Sequence, residues 1–148
     1  MLVDANLLLF AVDTESPFHE AAAEWVTAVL NGPRRVGLPW AVLGAFVRII
    51  TNPRASATPV MPLEAWAYVE EWLARDTTWT PNPTHRHAEV LGSLIATYQP
   101  RGNLVSDAQL AALAVEHGLT IYSADTDFAR FREVRWVDPL RPEPGATP

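Results

Sequence analysis

The sequence opens MLVDANLLLF over residues 1–10, and this stretch decides the fold class. Leu2 and Val3 form a short apolar run that ends at Asp4, and a second apolar run over residues 7–10 follows directly. A short buried strand that leads at once into a helix, with an acid at the junction, is typical of folds with a parallel sheet. We therefore expect an alternating α/β protein.

The same alternation of short strands and longer helices continues along the chain. We expect helices over about 17–30, 40–50, 63–74, 84–97 and 103–117, and strands over 35–38, 77–80, 120–123 and 135–137. Prolines, glycines and asparagines separate these segments. The prediction is one domain over residues 1–140, a three-layer α/β/α fold with a mainly parallel central sheet. A flexible C-terminal tail with three prolines is expected over residues 141–148.

Composition excludes several classes of protein. The chain has 148 residues, 49% of them hydrophobic and 19% charged, which excludes a disordered chain. No apolar run reaches the roughly 20 residues that span a bilayer, and the first residues carry no cationic segment, so we expect a cytoplasmic protein with no membrane contact. The sequence contains no cysteine and no lysine. Thiol catalysis, disulfides, a P-loop nucleotide site and Schiff-base chemistry are thereby excluded.

The formal net charge of −6 means that the chain as a whole repels nucleic acid. A polyanionic substrate would have to be held by local arginines or by bound cations. Arg48 stands alone on an otherwise apolar helix, where it would either pair with a buried acid or contact a phosphate. The other candidates for phosphate contacts are Arg34, Arg35 and Arg54.

Four aspartates fall where ligands bind in an open α/β sheet, beyond the carboxyl ends of the strands. Asp4 follows the first strand, Asp125 and Asp127 follow the strand at 120–123, and Asp107 lies near the start of a late helix. Each has an ordinary alternative, as a helix N-cap or as a charge that complements a helix dipole. Together, however, they would direct their carboxylates into one crevice.

Such convergence favours a bound cation. Two like charges about 4 Å apart repel by about 1 kcal/mol in water and by about 4 kcal/mol at an effective dielectric constant of about 20. A site built from carboxylates alone selects hard ions such as Mg²⁺ or Mn²⁺. An ion held in this way can activate a water and neutralise charge on a phosphate.

Other polar side chains are interpreted as structural. Most of the remaining acids fall on helix surfaces and are expected to be solvated, namely Glu20, Glu24, Glu64, Glu70, Glu71, Glu89 and Glu116. His85 and His87 lie two residues apart on a predicted helix, so they do not share a face and are expected at the surface.

The helices at 40–50 and 63–74 carry more apolar surface than one monomer needs, which predicts a dimer or a bound partner segment.

Three segments together resemble the PIN domain and, more narrowly, the VapC-type toxin ribonucleases. They are Val3–Asn6, Leu104–Ala108 and Ser123–Phe128, and the resemblance covers residues 1–140. Residues 37–54 are similar to a subgroup common in mycobacteria. The resemblance implies that Asp4, Asp107 and Asp125 bind metal, that Asp127 is a further acid near the site, and that Asn6 and Ser123 hydrogen-bond the carboxylates.

The resemblance also implies a function. It predicts a Mg²⁺- or Mn²⁺-dependent endoribonuclease that is the toxin of a type II toxin–antitoxin system, with RNA as substrate, a VapB-like antitoxin as partner, and a homodimeric state. One position departs from the family pattern, because Ala45 stands where PIN nucleases usually carry a glutamate. The missing ligand favours a weaker or single-metal site.

Two alternatives remain open. Ala45 supports a non-catalytic PIN-like module that binds RNA or a partner through the same groove. A small phosphohydrolase built on Asp125-Thr126-Asp127, similar to the haloacid-dehalogenase type, is disfavoured by the absence of lysine and by the late position of the motif.

Overall fold

Five short strands form one parallel sheet, in the order β3-β2-β1-β4-β5. The strands are β1 (Leu2–Val3), β2 (Val36–Gly37), β3 (Thr78–Trp79), β4 (Thr120–Tyr122) and β5 (Arg135–Val137). The computed structural model describes residues 1–141. The expected tail falls, apart from Arg141, outside these residues.

Six helices flank the sheet and complete three α/β/α layers, as the sequence predicts. They are α1 (Ala5–Val12), α2 (His19–Leu30), α3 (Trp40–Ile50), α4 (Pro62–Leu73), α5 (His87–Tyr98) and α6 (Asn103–His117). A short 3-10 helix, Thr126–Arg130, lies between β4 and β5. Helix α1 packs against α2 and α3, α3 against α4, and α5 against α6. No helix within residues 1–141 is both long and apolar enough to cross a bilayer.

The order of the strands determines where a ligand can bind. From β1 the chain runs outward to β2 and β3, and it then returns to place β4 on the other side of β1. The junction of β1 and β4 is therefore a topological switch point, where the loops after neighbouring strands separate and leave a crevice. The residues that follow β1 and β4 meet in this crevice.

The core holds the two central strands rigidly. Leu2, Val3 and Ile121 are buried, as is Phe46 of α3. The ring of Phe46 meets the edge of the Trp72 ring at a centroid distance of 4.7 Å and so joins α3 to α4. Strand ends that are anchored in such a core give the acids that follow them fixed starting positions.

Two helices begin later than the sequence suggests, because a hydroxyl near each start bonds locally instead of capping the helix. Helix α2 starts at His19, since the Ser16 hydroxyl accepts a hydrogen bond from the Phe18 amide at 3.2 Å. Helix α5 starts at His87, since the Thr84 hydroxyl accepts from the Arg86 amide at 3.1 Å. Both hydroxyls form the local turns that compete with a helix.

Candidate active site

Asp4 occupies the junction that the opening stretch predicts, between β1 and α1. Its backbone amide donates to the Tyr122 carbonyl at 3.0 Å, which extends the pairing of β1 with β4 by one residue. Its Oδ1 accepts from the Ala5 amide at 2.7 Å, so Asp4 is the N-cap of α1. The capping role that the sequence left as an alternative is therefore real, and it uses only one of the two carboxylate oxygens.

Ser123 ties the ends of β1 and β4 together. Its side chain is fully buried, and its hydroxyl donates to Asp4 Oδ2 at 2.7 Å. The same hydroxyl accepts from Asn6 Nδ2 at 2.9 Å and from the Asp125 amide at 3.0 Å. The indole nitrogen of Trp136 donates to the Ser123 carbonyl at 2.9 Å. The hydroxyl thus sets the orientation of one acid and the backbone position of another.

The 3-10 helix after β4 presents the next two acids. Asp125 is its N-cap and accepts from the Asp127 amide at 2.8 Å. Asp127 in turn receives a hydrogen bond from Arg130 Nη2 at 2.8 Å, between side chains that are each 45% exposed. The sequence did not single out Arg130, although the i,i+3 spacing from Asp127 is a recognisable signal for such a pair.

Asp107 arrives from a different part of the chain, on α6. Burial, and next the negative charge of Asp4, raise the pKa of its carboxyl to about 6. Asp125 and Asp127 add to the repulsion, whereas Arg130 reduces it. The pKa of Asp4 is also raised, chiefly by burial and despite its hydrogen bond from Ser123.

Three of the four predicted acids converge. One carboxylate oxygen from each of Asp107, Asp125 and Asp127 lies within 4.8 Å of the other two. Asp4 does not belong to this group, but it borders the same cavity as Asp107 and Asp125. The structure therefore places Asp4 beside the cluster, with both of its oxygens already hydrogen-bonded within the protein.

Asp4, Asp107 and Asp125 line a cavity of about 470 Å³ between α1, α3 and α6. Its polar wall includes Asn6, Asn103 and Gln109, and its apolar wall includes Leu9 and Ile49. Arg48 lines the cavity from α3, so the sequence-predicted candidate lies beside the acids. Ala45 lines it from the same helix. The position at which the family usually has a glutamate thus borders the cavity without contributing a charge.

The other predicted arginines lie elsewhere. Arg35 directly precedes β2, its carbonyl accepts from the Met1 amino group at 3.1 Å, and its guanidinium lies 4.8 Å from the centroid of the Trp79 ring. Arg34 lies close enough to the same amino group to lower its pKa, although burial lowers it more. Both arginines are at the amino edge of the sheet, opposite the acids. Arg54 is exposed in the turn after α3 and does not line the acidic cavity.

Glu116 is not solvated as the sequence suggested, and its side chain has no exposed surface. It accepts from Thr84 Oγ1 at 2.6 Å, from the Thr84 amide at 2.9 Å and from His87 Nδ1 at 2.6 Å. Burial raises the pKa of Glu116, but the bonds from His87 and Thr84 outweigh this effect and leave it below the usual value. The periodicity gave a signal, because Glu116 follows the buried Ala108 and Ala112 at four-residue spacing.

The cluster fits a divalent cation by its chemistry. Carboxylate oxygens alone are the donors that Mg²⁺ and Mn²⁺ prefer. Burial is the main cause of the raised pKa of Asp107, and repulsion by the charges of Asp4, Asp125 and Asp127 adds to it. A cation would remove this repulsion, and three carboxylates within 4.8 Å supply enough oxygens to hold one.

Comparison with known proteins gives consistent results. The PIN domain family matches residues 1–134. Ribonuclease VapC37 of Mycobacterium tuberculosis is 44% identical over 93% of this chain and 96% of its own length. Ribonuclease VapC33 of the same species is 40% identical over 95% of this chain and 99% of its own.

Solved structures share the fold at lower identity. VapC20 of M. tuberculosis, described as a toxin that cleaves the sarcin–ricin loop, superposes with a TM-score of 0.65 at 18% identity, over 90% of this chain and 98% of its own. VapBC2 of Rickettsia felis, bound to a DNA fragment from its promoter, gives a TM-score of 0.64 at 12% identity, over 92% of this chain and 96% of its own. FitAB bound to a DNA fragment gives 0.65 at 17% identity, over 96% of each chain.

Proposed function

The chain belongs to the PIN domain family and is a VapC-type toxin ribonuclease, and from this premise we propose that it is a metal-dependent endoribonuclease whose site is the acidic cluster described above. The observation that carries the proposal is the convergence of Asp107, Asp125 and Asp127, from two separate elements, within 4.8 Å. Without a bound cation, the repulsion between three carboxylates at this distance would destabilise the fold.

Asp107, Asp125 and Asp127 would hold a Mg²⁺ or Mn²⁺ ion. Bound there, the ion would supply charge neutralisation at a phosphodiester and a lowered pKa for an attacking water. Asp107 must lose its proton before it can act as a ligand, and its pKa of about 6 makes this nearly complete at neutral pH. Ion binding is therefore expected to weaken as the pH falls below about 6.

Other side chains of the chain hold and position these acids. Ser123 keeps Asp4 oriented toward the cavity, and Asn6 in turn holds Ser123. Arg130 fixes one oxygen of Asp127 and leaves the other available. Arg48 lines the same cavity from α3, where its guanidinium would attract an RNA phosphate toward the acids.

We also propose a VapB-like antitoxin and a homodimer. Helices α3 and α4 expose large apolar side chains, with Trp40 52%, Trp66 42% and Leu63 85% exposed. Such side chains on neighbouring helices mark a surface that another chain covers. The complexes VapBC2 and FitAB among the similar structures are consistent with a protein partner.

The direct test is cleavage of an RNA oligonucleotide by the purified protein with Mn²⁺ and with EDTA. We expect cleavage with Mn²⁺ alone, and its loss in Asp107→Asn. Asp76→Asn, which removes the same charge from an exposed position before β3, is the matched control and should cleave like the wild type. Equal rates for wild type and Asp107→Asn would refute the proposal.

The absence of a carboxylate at Ala45 favours one rival, a module that binds RNA without cutting it. If the chain only binds RNA, the acidic cluster should not bind a metal ion. Thermal unfolding separates the two, because a working site gains stability as Mn²⁺ is added and an idle site does not.

A further inference from the structure

A second cavity lies between α5 and the segment that follows the acids Asp125 and Asp127. Its volume is about 580 Å³, and it is lined by Thr97 and Tyr98 of α5 and by Ala129, Arg130, Arg132 and Glu133 from the segment after the acids. Arg130 belongs to both places, since its guanidinium is hydrogen-bonded to Asp127 at 2.8 Å. One side chain, Arg130, therefore connects the wall of this cavity to Asp127 of the acidic cluster.

The cavity is firmly built on its Tyr98 side. The Tyr98 hydroxyl accepts from the Arg132 amide at 3.1 Å and donates to Glu133 Oε2 at 2.8 Å. The Tyr98 ring meets the buried Phe131 edge-on at a centroid distance of 5.2 Å. These contacts hold the backbone of the 131–133 segment against α5, so the position from which the Arg132 side chain extends is fixed.

The charges of the cavity favour an anion. Two guanidinium groups and one carboxylate line the cavity, and that carboxylate, Glu133, accepts a hydrogen bond from Tyr98. Because Arg130 is also paired with Asp127, Arg132 is the main group that could bind an anion. Arg132 is exposed and takes part in none of the ion pairs found within residues 1–141. In a chain with a net charge of −6, a cationic cavity next to a carboxylate cluster is a local reversal of sign.

We propose that the Arg130–Arg132 cavity binds a backbone phosphate of the RNA that neighbours the phosphodiester at the acids. This inference rests on the proposed ribonuclease function and adds a second anchor for the substrate. Guanidinium groups bind phosphate through paired hydrogen bonds, and such contacts position a strand without selecting its sequence. Arg48 in the acidic cavity and Arg132 in the second cavity would then hold the RNA at two separate points.

The test measures RNA binding rather than cleavage. An Asp107→Asn/Asp125→Asn background keeps one side-chain oxygen at each position and removes two negative charges from the cluster, and we expect it to bind RNA in EDTA without cutting it. Arg132→Gln is then compared with Arg135→Gln in that background. Arg135 is an exposed arginine at the amino end of β5, opposite the acids, so its loss removes the same charge outside the cavity.

We expect Arg132→Gln to reduce the slope of log affinity against log salt by about 0.7, the value for one phosphate contact with a single strand. If the two proteins bind RNA equally at about 1 M salt, this difference in slope corresponds to about an eightfold loss of affinity at about 50 mM salt. Arg135→Gln should leave the slope unchanged. Equal slopes for the two variants, or no RNA binding by the background protein, would overturn the proposal.

A negative result for the Arg130–Arg132 cavity can be distinguished from a negative result for the proposed ribonuclease activity. If the wild type cleaves RNA with Mn²⁺ but the two arginine variants bind alike, only the second cavity is refuted. If the wild type does not cleave and Arg132→Gln still loses affinity, the phosphate contact stands and the chain is an RNA-binding module.

Discussion

The Ser123 hydroxyl donates a hydrogen bond to Asp4 Oδ2 at 2.7 Å, and these two residues are 119 positions apart in the chain. The bond joins the ends of β1 and β4 at the switch point of the sheet. It also occupies one oxygen of the acid that begins the chain's first helix. This contact, together with the pairing of β1 with β4 and the hydrogen bond from Asn6 to Ser123, joins the first and last motifs of the sequence into one site.

Replacement of Ser123 by alanine should damage both stability and activity. The change leaves Asp4 Oδ2 and Asn6 Nδ2 without their partner, and we expect the free energy of unfolding to fall by about 1–3 kcal/mol. Urea unfolding measures this loss. The control is Ser93→Ala at an exposed site on α5, which should stay within about 0.5 kcal/mol of wild type. A Ser123→Ala protein as stable as the control would contradict the role of the hydroxyl.

The metal-free protein should be stabilised by Asp107→Asn. The change removes one negative charge from the cluster, and after allowance for solvent screening we expect a gain of about 1 kcal/mol, or about 2–4 °C in Tm. Differential scanning fluorimetry in EDTA measures it, with Asp76→Asn as control. The gain should reverse when Mn²⁺ is added, because only the wild type keeps its full ligand set.

The difference in Tm between the wild type and Asp107→Asn should depend on pH. The pKa of Asp107 is raised from 3.8 to about 6 in the folded state, so the folded protein binds this proton more tightly than the unfolded chain does. The resulting stability is fully present below about pH 4 and is lost as the pH rises through 6. The Tm advantage of Asp107→Asn in EDTA should therefore be small at pH 5 and larger at pH 7. An advantage that is the same at both values would show that the Asp107 charge is not its cause.

Much of this arrangement follows from the sequence. The alternation of short apolar strands with helices predicts the parallel sheet, and the bounds of α3 and β5 agree with expectation. The convergence of Asp107 with Asp125 follows from the rule that ligands bind beyond the carboxyl ends of parallel strands. The same rule places Arg34 and Arg35, which precede β2, at the amino end of the sheet and away from the acids, so their charge alone was a poor guide to a phosphate contact.

Contacts between distant segments explain the remaining differences. Glu116 is charged, and so the sequence suggested a solvated position, but Thr84 and His87 cover it from another helix. Thr84 bonds both to Glu116 and to the Arg86 amide, and α5 begins after this turn, at His87. Arg132 became a candidate only when the fold placed its segment against Tyr98.

The buried Glu116 gives a prediction that is separate from the active site. Glu116→Gln should lower the free energy of unfolding by about 2 kcal/mol, because hydrogen bonds to a charged acceptor are replaced by weaker ones. Since the folded pKa of Glu116 is lowered, its contribution is present above the unfolded value of 4.5 and is lost as the pH falls. Chemical unfolding at pH 7 and pH 4 measures both effects, with the exposed Glu70→Gln as control. The difference between the two variants should shrink at pH 4.

Ala45 offers a test by gain of function. Ala45→Glu introduces a carboxylate into the wall of the cavity that Asp107 also lines, and we expect Mn²⁺ to bind about tenfold more tightly. The uncharged Ala45→Gln is the matched control for size. Calorimetric titration with Mn²⁺ gives the affinities. If both variants bind the ion equally, Ala45 is not placed to contribute a ligand.

The account depends most on an ion held between α6 and the segment after β4. A crystal of this protein soaked in Mn²⁺ and measured at the manganese absorption edge locates such an ion directly. We predict an anomalous peak in contact with carboxylate oxygens of Asp107, Asp125 and Asp127. A map with no peak there at saturating Mn²⁺ would contradict the account.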